Sequence, residues 1–189
     1  ISSPKTRSFR KKHFPNATAA EWNDWKWQLR NRIHDASTLS GFLKLSEDEH
    51  HALNSRNGAI SLSITPYYAS LLEHDNPGQA LRRSVVPVTA ELFKSRGESE
   101  DPLGEESDSP VHGIVHRYPD RVLFLVTDFC STYCRYCTRS RMVGEGHRSL
   151  SMATYEAAFS YIRSHPEIRD VLISGGDPLT LGDKLLEFI

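Results

Sequence analysis

All three cysteines of the 189-residue chain fall within eight residues, Cys130-Ser-Thr-Tyr-Cys134-Arg-Tyr-Cys137, in the spacing C-x3-C-x2-C. An odd number of cysteines packed into one loop cannot staple a small secreted fold, so the chain must bury a core without disulfides. Three thiolates on one short loop can instead hold three irons of a [4Fe–4S] cluster and leave the fourth iron open, whereas a structural zinc site normally takes four protein ligands. A zinc site completed by His112, His116 or His147 is the competing reading, and the C-x3-C-x2-C spacing disfavours it. Thiolates and an oxygen-sensitive cluster suit a reducing compartment, and the expected location is the cytoplasm.

The sequence on either side of this loop has a regular grammar. Arg121 to Thr127 is a β-branched and aromatic run that suits a buried parallel strand. Ser151 can cap a helix in which Tyr155, Ala158, Phe159 and Ile162 share one apolar face, and Asp170 to Ser174 reads as a second strand ending in Gly175-Gly176. Strand, helix and strand make a βαβ unit with a right-handed crossover. The cysteine loop and Gly175-Gly176-Asp177 then both follow the C-terminal ends of parallel strands, the face on which α/β barrels assemble their sites. One such unit cannot cover both faces of its sheet, so the chain reads as a fragment whose fold continues past Ile189.

Three regions are expected. Residues 1–18 form a basic, disordered arm carrying Lys5, Arg7, Arg10, Lys11 and Lys12. Residues 19–110 form a helical region with a connecting loop. Thr18-Ala-Ala-Glu21 is a capping box opening a helix to about Ile33, with Trp22, Trp25, Leu29 and Ile33 on one face. Ser46-Glu-Asp-Glu49 is a second capping box, and Thr65-Pro66 starts a further helix. Glu98 to Pro110 is an acidic, turn-rich connector. Residues 111–189 begin the α/β domain.

The chain is 38% hydrophobic and 25% charged, ordinary for a globular protein, and its net charge of −1 offers no bulk attraction to nucleic acid. The longest strongly apolar run, Val122 to Val126, is far short of the roughly 20 residues that span a bilayer. Small molecules and other subunits are therefore the expected partners, with no nucleic acid and no membrane.

The cysteine spacing resembles that of the radical S-adenosylmethionine superfamily. Longer segments are similar to the lysine 2,3-aminomutase family: Glu21 to Ile33, Ile64 to Tyr68, Arg117 to Cys130, Cys134 to Arg139, and Ser174-Gly-Gly-Asp-Pro178. The resemblance implies an α/β fold, a partial TIM-like (β/α) barrel of the radical S-adenosylmethionine type preceded by a helical N-terminal region. It implies cluster ligation by Cys130, Cys134 and Cys137, and S-adenosyl-L-methionine contacts from Tyr136, Gly175, Gly176 and Asp177. It also implies that Arg117 and Arg121 hold the phosphate of pyridoxal 5'-phosphate, and that Arg139 binds the substrate α-carboxylate. Arg135 and Arg141 are expected to be structural, and no catalytic residue is assigned within the chain.

The activity implied is an isomerase reaction, a 2,3-shift of an amino group that interconverts L-lysine and L-β-lysine. An electron donor such as flavodoxin or ferredoxin and a homo-oligomeric assembly go with it. Glutamate or arginine aminomutation, or modification of a protein-bound lysine, are the alternatives among relatives. Outside enzymes, the alternative is an iron–sulfur module that binds a cluster without radical chemistry.

Overall fold

The computed structural model describes residues 3–55, 60–143 and 150–189 and divides into two compact units. The first comprises residues 1–96 with 131–137, and the second residues 97–130 with 138–189.

The first unit is helical: α1 (Pro4–His13), α2 (Ala19–Asn23), α3 (Trp25–Arg30), α4 (Ala36–Ser40), α5 (Glu47–Asn54), α6 (Pro66–Ala69) and α7 (Ala80–Arg83). The expected starts are all there. Thr18 and Ser46 each accept from the backbone N–H three residues on, and the Glu21 and Glu49 side chains reach back to complete both capping boxes. Thr65 caps α6 with Pro66 at its first position.

Two expectations for this unit are corrected. The basic arm expected over 1–18 contains a helix: Ser3 accepts from Thr6 N–H, Pro4 occupies the first turn, and Thr6 is fully buried. Phe9 anchors that helix, its ring 5.5 Å from Phe42 and 6.5 Å from Trp22, while Lys5, Arg7, Lys11 and Lys12 are exposed and Arg10, half-buried, donates to the Ala17 carbonyl. The single helix expected up to Ile33 breaks at Asp24, whose carboxylate accepts from the N–H groups of Lys26 and Trp27 and starts α3 afresh. The break resets the helical phase, so Trp22 is buried while Trp25 is 41% exposed and Gln28 goes inside in its place. The core is Ile33, Leu39, Leu43, Leu62, Ile64, Val85 and Val86, with Leu72 and Ala69.

The second unit is a three-stranded sheet with helices: β1 (Ile114–Tyr118), β2 (Arg121–Thr127), α8 (Met152–Arg163), β3 (Asp170–Gly175) and α9 (Asp183–Phe188), in spatial order β1-β2-β3. β2 and β3 pair in parallel across α8, as the βαβ reading expects. β1 was not foreseen; it forms an antiparallel hairpin with β2 through the Pro119-Asp120 turn. Val122, Phe124 and Val126 project to one face of β2 and pack with Tyr155 and Ala158 of α8. The mixed α/β character is as expected, and the sheet has three strands among the described residues.

The β2–β3 ladder slips between Leu125 and Thr127. There the Val126 carbonyl accepts from the buried Tyr155 hydroxyl at 2.6 Å. Burial also pushes the Tyr155 phenol above its ordinary pKa, so it stays the donor. Tyr155→Phe is expected to destabilise this unit by about 1 kcal/mol, the usual net worth of such a bond, measured by chemical denaturation.

Candidate functional site

Beyond the last rungs of the β2–β3 ladder, two backbone bonds tie the strand ends together. Gly176 N–H donates to Thr127 O at 2.6 Å and Asp177 N–H to Phe129 O at 2.7 Å. The glycines are needed for this approach. Gly175 has φ +113°, and a Cβ at Gly175 or Gly176 would lie 2.2 Å from the carbonyl oxygens of Thr127 and Phe129 respectively. The residue leading into Cys130 and the segment Gly175-Gly176-Asp177 are therefore fixed side by side. The space their missing side chains leave is filled by the chain's own backbone, and a ligand at this point would meet backbone groups. Asp177 caps the short turn that follows, accepting from Leu179 N–H.

Residues 131–137 of the cysteine loop belong to the first unit. Tyr133 N–H donates to Ser63 O at 2.9 Å and Arg135 N–H to Ser84 O at 2.9 Å. The Arg135 guanidinium, 5% exposed, grips Glu91 at 2.5 Å and the Ile60 carbonyl at 2.8 Å, which is the structural role expected of it. With Arg135 turned inward, Tyr136 stands 73% exposed, its hydroxyl pKa raised by the neighbouring Cys134. None of the three cysteines is in a disulfide, and all three are half-buried. Three cysteines at this spacing supply the donor chemistry of a cluster with three protein ligands. Among the described residues no group of three or more His, Cys, Asp or Glu side chains is gathered as a metal site. Of the histidines weighed for zinc, His116 Nδ1 is engaged by the Tyr161 hydroxyl at 2.7 Å, His112 is exposed, and His147 lies outside the described residues.

The remaining candidates are arginines of the second unit. Arg117 and Arg121 flank the hairpin turn and are half-exposed. Arg117 is held by Asp108 at 2.6 Å and by the Leu103 carbonyl, and Arg121 by Asp120 through its Nε and Nη2 at 2.9 and 3.0 Å. Hydrogen bonding to these acids raises both arginine pKa values further, and Arg121 holds Asp120 below the usual carboxylate range. Arg139 is less exposed. Glu105 spans its Nε and Nη2 at 2.6–3.1 Å, and its Nη1 faces Ser174 Oγ at 3.5 Å. Arg141, expected to be structural, joins Asp101 at 3.2 Å and Glu106 at 3.0 Å.

Sequence reasoning missed the acidic loop's part in this. Residues 98–110 read as a connector, yet Asp101, Glu105, Glu106 and Asp108 engage Arg117, Arg139 and Arg141. The one available signal was an excess of acids opposite a run of arginines far along the chain. The loop also lines a cavity of about 480 Å³ with His112, Leu125, Thr127, Asp128 and Arg141.

No family model matches the chain. Curated proteins do. It is 45% identical over 176 residues to an L-lysine 2,3-aminomutase of Clostridium subterminale, covering 93% of this chain and 42% of that protein. It is 50% identical over 169 residues to the L-lysine 2,3-aminomutase of Bacillus subtilis, 89% of this chain and 36% of that one. The chain is homologous to the L-lysine 2,3-aminomutases. A glutamate 2,3-aminomutase of Clostridioides difficile is 40% identical over 174 residues, covering 92% of this chain and 41% of that protein. The chain thus spans less than half the length of these aminomutase relatives. Among the described residues no helix is long and apolar enough to cross a membrane.

Proposed function

We propose that this stretch works within a polypeptide of full family length as part of a radical S-adenosylmethionine, pyridoxal phosphate-dependent 2,3-aminomutase that interconverts L-lysine and L-β-lysine. The observation that carries the reading is the conjunction of three cysteines in C-x3-C-x2-C with a Gly-Gly segment fixed beside the start of their loop. The higher identity to lysine than to glutamate aminomutases favours lysine. On this reading β2–α8–β3 opens a TIM-like barrel over residues 111–189, and residues 19–110 form its helical companion. An electron donor such as flavodoxin or ferredoxin, a homo-oligomeric assembly and a cytoplasmic location belong to the same proposal.

When bound, the cluster with S-adenosyl-L-methionine supplies a hydrogen-abstracting radical and pyridoxal 5'-phosphate carries the migrating nitrogen; such chemistry belongs to the cofactors. The chain's own part is to hold and orient. Cys130, Cys134 and Cys137 would ligate three irons. Gly175 and Gly176 would offer backbone groups to S-adenosyl-L-methionine, with Asp177 beside them, and Tyr136 would contribute its exposed ring. Arg117 and Arg121 each present a planar fork suited to a phosphate dianion, and their half-exposed position leaves them reachable. Arg139 presents its fork to a carboxylate.

The test is electron paramagnetic resonance of the anaerobically reconstituted, reduced protein with and without S-adenosyl-L-methionine. The expected result is a [4Fe–4S]+ signal that shifts on addition. A signal that ignores S-adenosyl-L-methionine assigns a plain cluster-binding module instead, and bound zinc without iron overturns both.

A further inference from the structure

We infer that Glu105 is the positioning residue for Arg139, a role that rests on the reading of Arg139 as the carboxylate-binding group. A guanidinium has two bidentate edges, one formed by Nε and one Nη, the other by the two Nη atoms. Glu105 takes the first edge: Oε2 accepts from Nε at 2.9 Å and Oε1 from Nη2 at 2.6 Å. Of the five N–H donors this consumes the Nε hydrogen and one on Nη2. The outer edge keeps both Nη1 hydrogens and one on Nη2, with Ser174 Oγ of the β3 end 3.5 Å from Nη1. A second carboxylate can therefore dock end-on without displacing Glu105.

Glu105 is built to hold rather than to sample. It is 5% exposed, although it sits in a turn-rich loop. Its side chain is 7% exposed beside an Arg139 side chain that is 17% exposed. Arg141 Nη2 stands 3.8 Å from Glu105 Oε2 and also meets Asp101, so the carboxylate is braced from behind. A half-buried arginine with no fixed counter-charge would swing toward solvent or toward any passing anion; the side-on pair fixes the plane of its fork in advance. The alternative, that Glu105 occupies the substrate's place and must be expelled, predicts that its removal tightens substrate binding.

The test uses a polypeptide of full family length, comparing the unsubstituted protein with Glu105→Gln and Glu105→Ala. L-lysine is the substrate, and 1,5-diaminopentane, which lacks the carboxylate, is the competing ligand. Loss of the charge-assisted pair in Glu105→Ala is expected to raise KM for lysine about tenfold, with kcat within about threefold and Glu105→Gln between the two. The inhibition constant of the diamine should stay unchanged. A lysine KM that is unchanged or lower overturns the assignment, and so does an equal loss of diamine binding. If Glu105→Ala does not fold, the near-isosteric Glu105→Gln decides by the same measurements. Absence of turnover in the unsubstituted protein refutes the proposed function instead. The positioning role is then decided on the ¹⁵N resonance of Arg139 Nε, which must exchange slowly in the unsubstituted protein and lose that protection when Glu105 is replaced.

Discussion

Gly176→Ala is expected to destabilise the second unit by about 3 kcal/mol, the upper end of what a forced overpacking costs. The new Cβ would lie 2.2 Å from the Phe129 carbonyl oxygen and within 2.8 Å of the Phe129 carbonyl carbon and nitrogen. These are backbone atoms, so no side-chain rotation relieves the clash. The same carbonyl accepts from Asp177 N–H, so the strand ends must part and both backbone bonds that join them weaken together. The phenotype should be local: hydrogen exchange at the Gly176 and Asp177 amides accelerates first, since the bonds those N–H groups donate are the ones displaced. Gly182→Ala is the control. Nothing lies within 4 Å of its Cβ position, its φ is −73°, and its cost should stay below about 1 kcal/mol. If Gly176→Ala is as mild as Gly182→Ala, the close approach of the strand ends is not rigid.

What could be read from the sequence was whatever rests on neighbours in sequence. The capping boxes at Thr18 and Ser46, Ser151 before α8, and the β-branched runs of β2 and β3 are local patterns, and each sits where expected. β1 was missed because only Ile114 and Val115 of its five residues are buried, while His116, Arg117 and Tyr118 read as a polar turn. The helix over Pro4–His13 was missed because its charge count outweighed its one capping signal, Ser3-Pro4. Its stability comes from Phe9 against Phe42 and Trp22, contacts that no local window contains. The site divides in the same way. The cysteines, glycines and arginines were recognisable as residue types at given spacings. Their partners were not, since Glu105 and Arg139 are 34 positions apart and nothing between them announces the pairing.

Glu49→Ala is expected to cost the first unit about 3–5 kcal/mol, the usual penalty for leaving a buried charge unpaired. Arg82 is fully buried, and all five of its N–H donors are placed. Nε and one Nη2 hydrogen go to Glu49 at 2.8 and 2.7 Å, the other Nη2 hydrogen to Lys44 O, and the two Nη1 hydrogens to the carbonyls of Glu73 and His74. Glu49 also closes the capping box of α5 through Ser46 N–H, so the substitution removes a cap along with the counter-charge. Arg82→Met should be costly as well, stranding the Glu49 carboxylate and three carbonyls. The pair replaced together by Met should cost less than the sum of the two single changes, because the stranded charge is then gone. The measurement is direct, since all three tryptophans, Trp22, Trp25 and Trp27, lie in this unit and their fluorescence reports its unfolding in urea. The consequence reaches the cysteine loop. Arg82 holds α7, the residue after α7 is Ser84, and Ser84 O receives Arg135 N–H from the segment between Cys134 and Cys137. An α7 released from Glu49 can no longer fix that segment, so Glu49→Ala should lower the iron retained after reconstitution even at temperatures where tryptophan fluorescence still reports a folded unit.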